Sequence, residues 1–436
     1  MTPNRRPRPA PNDRELRLWK VGRALTLAFA AAVLVAGGVF YFLVVLLDVQ
    51  EIGATAKLDA KTLFDLVKLS FGVVAGAGAL VALVVAYRRQ RVDEAGAHRE
   101  ATRLHTERFS QAVDKLGSDS PAVRLGGVHA LAGLADDAPD NSLRQTCIDV
   151  LCAYLQLPFT PDPGTDPAHQ EEHHRYLAFR KVRHTILRLI GDHYRRPKGT
   201  HRSWQGCDLD LTGVTIDGDM DFAGATFSGG STSFASATFS GGSTSFASAT
   251  FSGGEVSFDN ATFSGGEVSF DNATFSGGEV SFAGATFSRS TVFFPDATFS
   301  GGTVYFDLAE FSRGNVYFGG ATFSGGDVSF RSATFSGGDV YFGRATFSGG
   351  TVSFGSATFS GGTVSFDRAT FSGGDVSFDT ARLSGGDMDF DSATFSAGTV
   401  SFERATGSVP QGLLAAVGTP PPAGVTLPSA WILSAP

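Results

Sequence analysis

Apolar and polar residues alternate with period two through much of the C-terminal half of the chain, in a twelve-residue unit close to ATFSGGxVxFxx. The triplet Ala-Thr-Phe or a close variant begins at Ala225, Ala237, Ala249 and Ala261 and recurs to Ala393. A second Phe falls at Phe234, Phe246, Phe258 and onward to Phe402, and the period holds without a slip to about Ala405. In Ala225-Thr226-Phe227, Ala and Phe share one face of a strand and Thr takes the other. In Val256-Ser257-Phe258, Val and Phe share a face and Ser opposes it. Two short strands per unit thus turn Ala, Phe, Val and Phe inward and Ser, Thr, Asp and Glu outward. Gly229-Gly230, Gly241-Gly242 and their successors supply corners that need positive φ, and Asp259-Asn260, Gly355-Ser356 or Asp367-Arg368 make the other corner. One unit alone has too few partners to bury its aromatics, so the units must stack. Residues 205–406 are therefore expected to form a β-solenoid, with Phe227, Phe234, Phe239, Phe246, Phe251, Phe258 and Phe263 aligned into ladders of about 4.8 Å spacing. Residues 207–222 are expected as its lead-in turn. The Pro-rich segment 407–436, with Pro410, Leu413, Leu414, Trp431 and Ile432, is expected to cap the far end, because an open sheet end templates aggregation.

Upstream the pattern changes. Ala24 to Leu47 and Leu69 to Tyr87 contain no charged residue, and each meets the membrane-spanning requirement of about 20 apolar residues. Transmembrane helices over 24–47 and 69–87 are expected, joined by an external loop 48–68 and preceded by a basic tail 1–23. The first run is too long for a signal peptide, and no small-residue cleavage site follows it. Arg5, Arg6, Arg8, Arg14, Arg17, Lys20 and Arg23 precede the first run, and Arg88, Arg89 and Arg91 follow the second. This places both ends in the cytoplasm, with the chain a two-span protein of the cytoplasmic membrane. Trp19, Tyr87 and, if the span ends early, Tyr41 suit the interface. Gly72 and Gly76 form a GxxxG pair, extended by Gly78 and Ala82, that would pack the two spans together or join two chains as a homo-oligomer. Neither run holds the ionisable groups that a transporter or channel uses. Membrane lipid is the partner expected here, and anchoring the role.

Residues 88–200 read as a cytoplasmic α-helical region. Helices are expected over Val92–Leu116, stopped by Gly117, and over Ala122–Ala135, after Ser120-Pro121. Another starts at Asp140–Ser142, and its stripe Ile148, Leu151, Cys152 and Leu155 follows the helical period. A last one carries Phe179, Val182, Ile186, Leu189 and Ile190 and ends near Arg195, before Pro197. The stretch VRLGGVHALAGLA weakly resembles HEAT-type helical repeats, which serve as packing or docking surfaces.

Chemistry-bearing residues change this picture little. His169, Glu172 and His173 spell the HxxEH pattern of one class of zinc peptidases. They stand in a His/Glu-rich stretch beside a Pro-rich loop, and His174, His184 and His193 add no recognisable ligand set, so a solvated helix surface is expected. Cys147 and Cys152 lack CxxC spacing. With Cys207 they make three cysteines, too few for a disulfide framework, and read as buried thiols in a reducing compartment. Asp136, Asp137 and Asp140 read as loop and cap residues. No nucleophile–base pair, Walker loop or GxGxxG after a strand occurs, and no helix follows the Gly-Gly pairs to make a phosphate cradle. Neither an enzyme nor a cofactor or metal is expected.

The repeat is similar to that of pentapeptide-repeat proteins, whose five-residue step places a small residue two positions before a central Leu or Phe. Ala237-Thr238-Phe239, Ala261-Thr262-Phe263 and Val214-Thr215-Ile216 fit that step. Leu209-Asp210-Leu211 departs from it, because Leu209 is large. The resemblance implies a right-handed, four-sided β-helix. Here the Phe-to-Phe steps alternate between five residues (Phe234 to Phe239) and seven (Phe239 to Phe246), the extra two being the Gly-Gly corner. Two units could close a four-sided coil of 24 residues, or one unit a flat coil of 12. The resemblance favours the first.

The net charge of −8 hides a split: residues 205–406 carry 22 Asp/Glu against 7 Lys/Arg, and the remainder is basic. An anionic membrane surface suits one end and free solvent the other. The function expected is a membrane-anchored, non-catalytic scaffold or interaction module for an unknown protein partner. Some proteins of the resembled family mimic DNA and protect gyrase, so an acidic DNA mimic acting on a topoisomerase is the alternative. It is weakened by the stretch Ala223 to Ser252, which has no acid, whereas DNA carries a charge about every 1.7 Å. Nucleic acid itself is disfavoured as a partner.

Overall fold

The computed structural model describes residues 60–433 and scattered helical positions between 29 and 45. The basic tail 1–23, most of the expected first span 24–47 and the first part of the loop 48–68 lie outside the described residues. Internal contacts divide the chain into two units, Met1–Ala101 and Thr102–Pro436.

Helix α1 (Ala60–Leu116) is continuous, lacks proline and takes in the uncharged run 69–87. Leu80, Leu83, Val84 and Tyr87 are exposed on it. Among the described residues no helix is long and apolar enough to cross a membrane, so the expected hairpin finds no support in the fold. Among the described residues, a Cβ added at Gly72 or Gly76 would meet no neighbouring atom within 4 Å.

In the second unit, α1 ends at Leu116 and three helices follow. Helix α2 (Pro121–Asp136) starts with Pro121 in its first turn, where the missing N–H costs no hydrogen bond. Gly127 lets it approach α1, since a Cβ there would lie 2.6 Å from Leu116 N. Helix α3 (Asn141–Gln156) is capped by Asp140, whose carboxylate accepts from Leu143 N at 2.9 Å. Its stripe Ile148, Leu151, Cys152 and Leu155 is buried. Helix α4 (Gln170–Tyr194) buries Val182, Ile186 and Ile190.

The rest is a parallel β-solenoid of about nine turns, built from sheets of ten, nine and eight strands. Paired residues lie 24 apart: Thr226 with Thr250, Thr262 with Thr286, Val292 with Val316. Two units therefore close each turn, and the 12-residue coil is excluded. The two units differ at their Gly-Gly corner. In one, the strand runs through the corner as a single eight-residue element, as in β4 (Thr226–Ser233), with its register shifting at the glycines. In the other it breaks, as between β5 (Thr238–Ser240) and β6 (Ser243–Ser245). Four inward triplets per turn thus share three sheets.

Each of the four Phe positions stacks on its counterpart one turn away. Phe258 and Phe282 lie 4.7 Å apart at 3°, and Phe246 and Phe270 lie 5.0 Å apart at 4°. Across the core the rings meet edge to face, as Phe258 and Phe270 do at 87°. Both arrangements suit the aromatic quadrupole.

Residues 207–222, expected as a lead-in, already contain strands of the first turn: β1 (Leu209–Asp210) pairs with β4, β2 (Thr215–Asp217) with β5 and β3 (Met220–Asp221) with β6. Leu209 is buried despite its size, because helix α3 covers that end and no earlier rung crowds it. At the far end lie α5 (Leu413–Val417), a strand Val425–Thr426 that pairs with Val400–Ser401, and α6 (Ser429–Leu433). The Trp431 ring lies 5.6 Å from that of Phe402, tilted at 55°, and its indole N–H donates to Gly407 O at 3.0 Å. Pro410 and Leu413 are buried and Leu414 half-buried, whereas Ile432 is exposed on the outer side of α6.

The second position of the corner is glycine in nearly every unit, Ser290 being an exception, and there the turns approach closely. Gly374 has φ 72°, and a Cβ there would come within 2.6 Å of Gly350 O. The first glycine is also tight, a Cβ at Gly373 lying 2.5 Å from Ser348 O, but its φ is outside the left-handed region, and Ala397 occupies the equivalent place one turn later. Gly374→Ala should therefore lower stability by about 1–2 kcal/mol more than Gly373→Ala, read as urea midpoints of the two variants. Equal losses would show that the left-handed corner is not the critical constraint.

Candidate interaction surface

The repeat residues singled out by the sequence are structural. Phe227, Phe234, Phe239, Phe246, Phe251, Phe258 and Phe263 are all buried. Gly229 and Gly230 have φ 153° and 73° and form a bent corner over Cys207. None of them meets solvent chemistry directly, so any interaction must use the outward positions.

Those positions are less uniform than the alternation implies. Ser257, Ser281, Ser329 and Ser365 are buried although they point away from the core. For Ser281 and Ser329 the cause is an Asp of the preceding turn, while Ser365 reaches Asp389 of the following turn. Ser329 Oγ donates to Asp307 at 2.5 Å, Ser401 Oγ to Asp379 at 2.6 Å, and Ser281 Oγ to Asp259. Asp307 and Asp379 also accept the backbone N–H of Arg331 and Glu403, each at 3.1 Å. Several of the acids are therefore engaged in tying one turn to the next.

One stripe stands apart. One outward ladder of the eight-stranded sheet runs through Asp221, Ser245, Ser269, Phe293, Tyr317, Tyr341, Ser365 and Asp389. Three consecutive turns carry aromatics where their neighbours carry Ser. The rings stack at 5.3 Å and 4.9 Å and stay partly exposed. Asn315 Nδ2 donates to the Tyr317 hydroxyl at 3.1 Å, and Tyr341 donates to Asp339 at 2.8 Å. That bond, with partial burial, pushes the Tyr341 phenol up to about 12. In two of these turns the corner leading into the sheet holds exposed Arg289 and Arg313, where other turns have Gly. Aromatics and arginine together are the composition of interface hot spots. The signal was present in the sequence as Phe or Tyr replacing Ser inside VxF, and the repeat consensus hid it.

The helical region meets the solenoid at Asp217, on β2. Its carboxylate accepts from the Tyr176 hydroxyl and lies 3.2 Å from Arg180 Nε and 3.5 Å from His184 Nε2. Burial opposes its ionisation, but the hydrogen bonds from His184 and Tyr176 and the Arg180 charge outweigh that and hold its pKa below the ordinary value. Burial pushes the Cys147 thiol up to about 11 and Cys152 up to about 12, and raises Cys207. These thiols are poor nucleophiles at neutral pH. His169 sits in a 3-10 turn (Pro167–His169) ahead of α4 and contacts Glu172 at 3.1 Å, while His173 contacts Asp162 at 2.6 Å. His169 and Glu172 meet each other while His173 turns to Asp162, so the HxxEH residues do not gather as one ligand set. Among the described residues no three His, Cys, Asp or Glu side chains are grouped to hold a metal ion.

Comparison with protein-family models, curated proteins and solved structures finds no match to this chain.

The Asp217 network makes junction stability depend on pH. A depressed carboxylate pKa contributes stability that is complete above the unfolded-state value and is lost as pH falls through the folded-state one. Asp217→Asn should melt below the native chain at pH 7, and the gap should close as pH drops below about 4. Melting curves across pH 2–8 test this; a gap constant to the acid end would remove Asp217 ionisation as its cause.

Proposed function

We propose that the protein is a membrane-anchored, non-catalytic scaffold of pentapeptide-repeat-like type that docks a protein partner along the outward stripe Phe293, Tyr317 and Tyr341. The observation that carries the reading is the restriction of outward aromatics on this sheet to three successive turns, two of them flanked by Arg289 and Arg313. An edge-on row of rings offers rigid apolar area with little side-chain entropy left to lose on binding. Arginine beside it offers charge-assisted bonds to carboxylates.

The anchor is the second part of the proposal. It rests on the uncharged runs 24–47 and 69–87 and on the basic residues that flank them, which favour cytoplasmic ends. Gly72 and Gly76 are then a surface for helix contact, within one chain or between two copies. The DNA-mimic alternative is weaker, because Asp259, Asp307 and Asp379 are spent on hydrogen bonds between turns.

Replacing Phe293, Tyr317 and Tyr341 by Ser copies the residue native to neighbouring turns, so the solenoid should still fold, losing only the modest stabilisation of two aromatic pairs. Full-length native and triple-variant chains, extracted gently from membranes, are compared for stoichiometric co-purifying proteins. The stripe reading expects a partner whose affinity drops by about tenfold or more in the variant; unchanged partners would end it. Separately, the full chain should stay with membranes under alkaline carbonate washing. Release into the supernatant would remove the two-span anchor and leave the stripe reading standing.

A further inference from the structure

The helical region contains a cavity of about 510 Å³, between the start of α2, the end of α3, the Pro-rich loop 157–163 and the first half of α4. That volume falls within the range of small-molecule sites. Its walls are aromatic: Tyr154, Phe159, Tyr176 and Phe179 line it, and Phe159 and Tyr176 lie 5.4 Å apart.

Two guanidinium groups line the same space. Arg124 lies over Phe179 at 4.5 Å, and Arg183 lies over Phe159 at 4.6 Å. Arg124 donates to Ser118 O and, at 3.0 Å, to the Tyr154 hydroxyl. Arg183, only 5 % exposed, donates to Leu155 O at 2.7 Å and Thr215 O at 2.9 Å. These partners are neutral dipoles, and none is a carboxylate. The other charges lining the cavity already have partners: Glu172 contacts His169, and Arg175 pairs with Glu171 at 3.6 Å. Burial works against the Arg183 charge and lowers its pKa, yet an arginine stays protonated in proteins. Neither guanidinium is hydrogen-bonded to a carboxylate: Glu172 lines the cavity but contacts His169, and Asp217 favours the Arg183 charge without a direct bond, so an anion entering the cavity would meet two cations that lack a direct anionic partner.

We propose that this cavity binds a small organic anion with an aromatic ring, such as an aryl carboxylate or aryl phosphate. The ring would lie against Phe159 and Tyr176, and the anion would face Arg124 and Arg183. The ligand would then bridge α2, the loop and α4, next to the Arg183 bonds that tie α3 to the first solenoid turn.

The test is isothermal titration of the full chain in detergent, with heats into empty micelles subtracted. The probes are 2-naphthoate, its neutral counterpart 2-naphthalenemethanol, phenyl phosphate and inorganic phosphate. Saturable one-to-one binding of naphthoate or phenyl phosphate is expected, with the neutral alcohol and inorganic phosphate each weaker by about tenfold or more. Phe159→Ala, in the loop, and Arg124→Gln should each weaken the aryl anion by about tenfold or more. Arg188→Gln, at an exposed pair with Asp192 outside the cavity, should change it by less than about twofold. Equal affinity for the neutral alcohol would make the site merely apolar and overturn the proposal. Equal affinity for inorganic phosphate would remove the aromatic part. No saturable binding of either aryl anion, or wild-type affinity in a folded Phe159→Ala variant, would refute it outright.

Discussion

Register between identical positions one turn apart is the constraint on which the rest of the solenoid depends. Each turn lends its carbonyls to the next, as when Phe258 N donates to Ser281 O and Thr274 N to Ala249 O. A slip of one residue would turn every inward Phe outward. The four aromatic columns follow from this register, since rings attached to paired residues must stack at nearly the strand spacing. The corner glycines follow as well. Their φ values set the bend, and the short distance to the glycine below leaves no room for a side chain.

Local sequence does not decide everything in this register. Residues 249–260 and 261–272 are the same twelve amino acids in the same order. Yet Thr250–Ser257 forms one bent strand, while the second copy breaks into Thr262–Phe263 and Glu267–Ser269. Propensity, charge and turn chemistry are identical in the two, so the difference must come from the turns above and below. The choice is therefore handed along the stack. At the helical end Arg183, Arg180 and His184 hold β2 through its backbone carbonyls, so the first turn is fixed from outside the repeat.

This explains which parts of the fold were legible. The inward residues, the capping Pro410 and Trp431 and the buried stripe on α3 each follow from a spacing rule that one segment obeys by itself. The coil size did not, because 12- and 24-residue closures place the same side chains inward. Only the pairing of Thr226 with Thr250 distinguishes them. The cavity was illegible for a similar reason. Arg124, Phe159 and Arg183 are far apart in the chain, and each has an ordinary local role. The aromatic stripe was different: it was visible as Phe293, Tyr317 and Tyr341, and attention to the consensus concealed it.

A purely structural account of that stripe is available, because cross-strand aromatic pairs stabilise sheets by roughly 0.2–1 kcal/mol each. It does not explain the distribution. Five of the eight positions on the ladder hold Ser or Asp and keep the same parallel pairing. If the stack were needed to hold the sheet, the turns nearest the ends would need it most, and they lack it. Outward aromatics also expose a sheet face to unwanted association. The two flanking arginines add no visible tie between turns, and Arg289 sits at φ 62° where Gly serves elsewhere. Residues that bring local strain and exposure without a fold-level return are more simply explained by something that binds there.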